Sequence, residues 1–256
     1  MKKGGRKKAP QSYRRRTYRD LVGKQLVSTF IKIKETDLHI LAEADVSAVA
    51  GDLASTYRLQ VEGYIKQHPE FMAALEPLGV DDLAPPIIRQ MQEAAELAGV
   101  GPMAAVAGGI AERVARGLLE AGHKELIVEN GGDIFLKRNK ALTVSVFAGE
   151  SKLSNRVGLR IAPEQMPLGI CTSSGTVGHS LSFGKADSVT VLSDSAFIAD
   201  AAATRLGNEI SGERDTREAI NYALSVAAQL EKIRGVLIIC GETVGASGEI
   251  ELEPIN

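Results

Sequence analysis

Asp200 and Thr204 stand four residues apart in the run Ile198-Ala199-Asp200-Ala201-Ala202-Ala203-Thr204. On a helix that spacing puts both side chains on one face. A carboxylate beside a hydroxyl is a donor set for a hard divalent cation such as Mg2+, with phosphates or waters completing the shell. The same two residues also suit ordinary helix roles, Asp200 near a helix start and Thr204 bonding back to a carbonyl. A second cluster, Gly169 to Ser180, packs five hydroxyls, three glycines and His179 into twelve residues. It reads as a phosphate-contacting loop in which Thr172, Ser173, Ser174 and Gly175 line a ligand and His179 serves as acid, base or donor near neutral pH. With Cys171, Ser173 or Ser174 as nucleophile and His179 as base, the same loop describes a Ser/Cys hydrolase, although the G-x-S-x-G spacing of a nucleophile elbow is missing.

Two glycine-rich stretches complete the set. Gly99 to Gly109 enters a helix, and its exposed N–H groups and positive helix end suit a phosphate, with Gly101 and Gly108 allowing close approach to the backbone. Tight helix packing through the glycines is the alternative. The stretch is neither a Rossmann fingerprint, since a helix precedes it, nor a P-loop, since no Gly-Lys-Ser/Thr follows. In Glu129-Asn130-Gly131-Gly132-Asp133, adjacent glycines permit positive φ and open a backbone-lined corner in which Asn and Asp can bond a ligand. A plain hairpin turn would use the same residues.

Periodicity indicates the elements that hold these clusters. Alternation from Gln25 to Ala42 gives a hairpin. Asp45 then starts a helix with Val46, Val49, Leu53, Tyr57, Val61 and Tyr64 on one face. After a Pro-spotted connector come a short helix from Ile87 to Leu97 and another after Pro102, with Val106, Ile110, Val114 and Leu118 inward. ELIVE and DIFLK form a hairpin around Asn130-Gly131-Gly132, and LTVSVFA, VGLRIA and SVTVLS read as strands. Helices follow at Ser195 to Gly207 and from Asp215 to about Ile233, then strands at GVLIIC and EIELE. Hairpins mixed with helices, without regular strand-helix alternation, indicate an α+β fold of mainly antiparallel sheets.

Composition narrows the function classes. The 256 residues are 44% hydrophobic and 24% charged, enough apolar material for a core. No run reaches the roughly 18 apolar residues of a membrane span. The two cysteines, Cys171 and Cys240, end apolar runs as buried reduced thiols do, which points to a cytoplasmic location. Residues 1–20 carry nine Lys or Arg against one acid, a net +8, while residues 21–256 sum to −10. The first 20 residues read as a flexible basic arm on a single domain spanning 21–256. An acidic body with 4% aromatic residues argues against nucleic acid as the partner. Lysines 24, 32 and 34 interrupt the stretch after Arg15-Arg16 where an export signal would be apolar.

Taken in order, VGPMAAVAGGIAE, ENGGDIFL, TSSGTVGHS, SVTVLS and ADAAAT resemble the signature order of the ApbE superfamily of FAD:protein FMN transferases. With Arg16-Thr17-Tyr18 and Glu35-Thr36-Asp37-Leu38, the pattern is most similar to the family's uncharacterised cytoplasmic UPF branch, over residues 16 to 210. The resemblance implies Mg2+ on Asp200 and Thr204 with a backbone carbonyl of the glycine-rich region. It places His179 and Asp200 in catalytic positions and sets Gly131, Gly132 and Asp133 at a flavin-binding corner. The implied reaction breaks the pyrophosphate of FAD and passes FMN to a Thr or Ser hydroxyl of a protein acceptor. Two elements differ. The transferases carry a Lys in the glycine-rich motif, where this chain has none between Gly99 and Glu112, and an Asp-Pro-x-Thr-Gly element absent after His179. Two other readings stay open: a non-catalytic accessory protein on the same fold, in the sulfur-assimilation context associated with this branch, and the hydrolase.

Overall fold

A computed structural model describes residues 26–174, 186–210 and 214–255. The N-terminal hairpin forms as expected: β1 (Val27–Ile33) pairs antiparallel with β2 (Thr36–Ala42), with Lys34 at φ 52° in the turn. Strands β3 (Leu126–Asn130) and β4 (Asp133–Lys137) make the second hairpin, Asn130 opposite Asp133. Strands β7 (Leu168–Ser173), β8 (Ser188–Ser193), β9 (Ile233–Cys240) and β10 (Thr243–Gly248) complete an eight-stranded sheet of order β1-β2-β3-β4-β7-β8-β9-β10. The excursion between β4 and β7 supplies β5 (Leu142–Ser145) and β6 (Val157–Ile161), which with β11 (Leu252–Pro254) form a three-stranded sheet. Every strand pairing is antiparallel among the described residues.

The helices are α1 (Ser47–Gln67), α2 (Glu70–Ala73), α3 (Pro86–Ala98), α4 (Val106–Glu120), α5 (Ala196–Glu209) and α6 (Thr216–Ala227). Gly99, in left-handed conformation, ends α3, and a 3-10 turn at Pro102–Ala105 leads into α4. Strand alternation divides the core into two layers. On β9, Val236 and Ile238 face the helices, whereas Leu237 and Ile239 face the small sheet and join Leu159 and Ile161 there. The α+β architecture read from the sequence is therefore the architecture of the protein. No single helix among the described residues is long and apolar enough to cross a membrane.

Local readings differ from the structure in several places. The first helix has Val46 at the cap position with no side-chain cap there, while Asp45 Oδ1 accepts from Ser47 N at 2.9 Å; the helix buries Ala50, Ala54 and Val61, and Val49 is 44% exposed. Val46 and Val61 of the expected stripe are buried and Leu53, Tyr57 and Tyr64 pack against the core, so the inward face is the expected one widened by the small residues Ala50 and Ala54, with Val49 at its exposed edge. Gly169 to Ser173, read as loop, is the interior strand β7, lying between β4 and β8. Its glycine answers a close approach: a Cβ on Gly169 would lie 2.5 Å from Ala196 N. The helix from Asp215 ends at Ala227 rather than near Ile233, and β10 has no counterpart in the sequence reading.

Candidate functional site

Helices α4 and α5 cross with their backbones in contact. A Cβ on Gly108 would meet Ala196 O at 2.3 Å and Asp200 Cβ at 2.9 Å, and one on Gly109 would meet the Phe197 ring at 2.4 Å. The crossing brings Asp200 to the start of α4, where its Oδ2 accepts from Gly108 N at 2.9 Å and the Ala107 N–H adds a second bond to the carboxyl. Carboxylates suit this position because the first amides of a helix lack partners within it. Asp200 lies deep but keeps part of its surface open to solvent. Burial pushes its pKa well above the usual carboxylate range, the nearby Asp133 charge raises it further, and the Gly108 and Ala107 N–H groups oppose the shift.

Asp133 opens β4 and is buried, its Oδ1 accepting from Thr172 N at 3.2 Å. The corner before it follows from two residues with positive φ, Gly131 at 74° and Gly132 at 112°, and the Gly132 N–H donates to Glu129 Oε1 at 2.8 Å. Buried Asn130 clamps the corner to two other elements. Its Nδ2 donates to Ala107 O at 3.0 Å at the start of α4, and its Oδ1 accepts from Asp37 N on β2 at 3.3 Å. On β7, Thr172 Oγ1 and Thr190 Oγ1 lie 2.9 Å apart across the β7–β8 pair, and Thr172, Ser173 and Ser174 are half-buried.

The sequence-derived residues thus fall into groups. Gly108, Asp133, Thr172 and Asp200 are linked by hydrogen bonds or by the mutual effect of their charges, with Gly131 and Gly132 at the adjoining turn. Thr204 is half-buried one turn beyond Asp200 on α5. Ser173 and Ser174 continue from Thr172 at the end of β7. Gly101 lies apart, at the entry to the 3-10 turn, where its Cβ direction is filled by Ala74 O. His179, Gly175 and the basic arm of residues 1–20 lie outside the described residues.

Cys171 is fully buried beneath the two carboxylates, its Sγ donating to Ala196 O at 3.4 Å. Burial pushes the thiol pKa well up, and the charges of Asp133 and Asp200 add to the shift. A nucleophilic cysteine needs the opposite environment.

One acid at the crossing was not singled out from the sequence. Glu112 on α4 is 2% exposed. Its Oε2 accepts from Ala196 N at 2.6 Å and from Ser195 Oγ at 2.9 Å, and its Oε1 faces Arg116 Nη2 at 2.7 Å. The available signal was its position one turn after Gly108, on the small-residue face of the helix.

The donor chemistry fits a hard cation. Two recessed carboxylates raise the cost of each other's charge, and a divalent ion relieves that repulsion with oxygen ligands of the type it prefers. Asp200 and Asp133 carry the carboxylates that sense one another there, and Thr204 follows Asp200 by one turn of α5. Among the described residues no three His, Cys, Asp or Glu side chains converge into a ready-made cage. A cation held here would draw on one or two carboxylates and take the rest of its shell from water or phosphate, as Mg2+ commonly does.

Comparison with known proteins shows the family of the chain. The family described as AbpE bacteria matches residues 19–252. The chain belongs to that family. Among its relatives, a UPF0280 protein of Methanocaldococcus jannaschii is 44% identical over 225 residues, covering 86% of this chain and 90% of the relative. A UPF0280 protein of Methanococcus maripaludis strain C5 is 47% identical over the same shares. The fold is shared with the apo form of the flavinyl transferase ApbE from Pseudomonas stutzeri, at a TM-score of 0.54 and 12% identity, over 90% of this chain and 96% of that one. The chain is an ApbE-like protein of the UPF0280 branch.

Proposed function

We propose that the recess at the α4–α5 crossing binds a flavin nucleotide, FAD or FMN, together with Mg2+, and that its reaction is transfer of FMN from FAD to a Thr or Ser hydroxyl of a protein. The observation that carries this reading is the pair Asp200 and Asp133: two neighbouring carboxylates, Asp200 at the N-terminus of α4 and Asp133 directly after the Gly131-Gly132 corner. The shared fold with a protein named as a flavinyl transferase supports it.

Asp200 and Thr204, with Asp133 beside them, would hold the cation, which when bound neutralises charge on the transferred phosphate. Asn130 fixes the Ala107 carbonyl and the corner in one arrangement. The hydroxyls of Thr172, Ser173 and Ser174 are the donors available to phosphate oxygens. In the reaction the acceptor hydroxyl oxygen bonds to the FMN phosphorus as the pyrophosphate P–O bond breaks, AMP leaves, and the hydroxyl proton passes to base. His179 is the residue proposed for that proton.

A second reading, nucleotide binding without transfer, as in an accessory protein, is favoured by one observation. No lysine stands between Gly99 and Glu112, and the directions in which Gly108 and Gly109 would carry side chains are filled by α5. Native mass spectrometry of the full chain with FAD and Mg2+ tests both readings. Binding that is lost in Asp200→Asn, with AMP release in the presence of an acceptor peptide, is expected for the transferase. Binding without AMP release selects the second reading, and no binding of FAD or FMN by the wild type overturns both.

A further inference from the structure

We propose that Glu112 is a positioning residue that registers α5 against α4, so that Asp200 and Thr204 keep their places when a ligand draws on the Asp200 carboxyl. The inference rests on the nucleotide and Mg2+ reading above. Its starting point is the N-terminus of α5. Ser195 occupies the cap position in extended conformation but accepts no hydrogen bond from the helix. Its hydroxyl donates instead to Glu112 Oε2, the same oxygen that takes the Ala196 N–H at 2.6 Å. The cap of α5 is therefore supplied by another helix, through a side chain 84 residues away in sequence.

The exchange is reciprocal. Asp200 of α5 accepts from the first amides of α4, and Glu112 of α4 accepts from the first amide of α5. Gly108 and Glu112 are one turn apart on α4, as are Ala196 and Asp200 on α5. A slide or rotation of either helix breaks both tethers together. The two acids differ in what else they can do. Asp200 reaches solvent and is offered to the cation, whereas Glu112 is closed in with its second oxygen on Arg116. When Asp200 turns its oxygens toward a ligand, Glu112 is the tether that remains.

The test uses the full chain as wild type, Glu112→Ala, Glu112→Gln and Asp200→Asn, with two readouts. Amide hydrogen exchange in the absence of ligand is expected to show Ala196 and the first turn of α5 losing protection in Glu112→Ala, with partial rescue in Glu112→Gln, which keeps an acceptor oxygen. Titration with FAD and Mg2+, well below the unfolding temperature of each variant, is expected to show at least about tenfold weaker binding in Glu112→Ala, recovered in part by Glu112→Gln, the size of effect found when a group supporting a metal ligand is removed. A folded Glu112→Ala with wild-type exchange at Ala196 and wild-type affinity would overturn the proposal. If Glu112→Ala does not fold, the decision falls to Glu112→Gln: wild-type exchange and affinity there overturn it, and intermediate values in both support it. Failure of the wild type to bind FAD would defeat the flavin reading alone, since the exchange measurement needs no ligand.

Discussion

Replacing Gly108 with alanine measures how closely α4 and α5 are pressed together. The added Cβ would lie 2.3 Å from Ala196 O, where ordinary contact begins at 3.4 Å, so the helices must part by about 1 Å locally. The Gly108 N to Asp200 Oδ2 bond, now 2.9 Å, then stretches beyond hydrogen-bonding range. Overpacking of this kind costs about 1–3 kcal/mol. Loss of the hydrogen bond adds about 1 kcal/mol, and the better helix propensity of alanine returns about 1 kcal/mol. The expected net effect is a destabilisation of about 1–3 kcal/mol, seen in urea titration as a lower midpoint at unchanged slope. Gly51→Ala is the internal control. That glycine is also helical, but its Cβ would meet nothing within 4 Å, so the variant should gain about 0.5–1 kcal/mol. A Gly108→Ala midpoint at or above that of the wild type would refute the close crossing on which the site is built.

Two further outcomes follow from the buried titratable groups. Asp200 has its pKa raised in the folded protein, so the folded state holds a proton that the unfolded chain releases near the ordinary carboxylate range. In chelator, stability should therefore fall as pH rises from that range up to the raised value, and then level off. Asp200→Asn should remove this slope and match or exceed wild-type stability at neutral pH, as checked by urea unfolding across a pH series; an unchanged slope would refute the assignment. For the thiols, Cys171 is held protonated by burial and by the two carboxylates, and Cys240 is pushed up to about 11. Iodoacetamide at pH 7 should modify Cys171 only under denaturing conditions. Rapid native labelling there would revive the thiol-nucleophile reading.

How much the sequence disclosed depended on whether each feature was local. The hairpins at Val27–Ala42 and Leu126–Lys137 carry alternation and turn residues within a few positions of each other, and α3 carries its Pro start and Gly stop. Strand β7 was hidden because small residues replace the usual β-branched run. Gly169 is required by the α5 backbone, a contact no local pattern encodes. Strand β10, Thr-Val-Gly-Ala-Ser-Gly, has few large side chains, and Gly245 faces Ile220 of α6, whose Cγ2 would lie 2.2 Å from an added Cβ. The stripe on α1 included Val49, which is exposed, and left out Ala50 and Ala54, which are buried with Val46 and Val61. In the site, the Asp200 and Asp133 clusters were visible as motifs. Glu112 looked like one more acid on a helix, because what buries it is the start of a helix far along the chain.

The peptide units around Ala196 are held from three directions. Glu112 takes the N–H, Gly108 lies under the carbonyl, and Gly169 of β7 lies against N and Cα. Side-chain length was given up at two positions on separate elements to admit one stretch of backbone. The start of α5, from which Asp200 projects, is thus preorganised, and a ligand bound as proposed would forfeit little freedom of the protein in exchange for each contact there. Under that proposal, discrimination between one ligand and another would belong to the residues not built on this join, and change of specificity would be sought there before it is sought in α5.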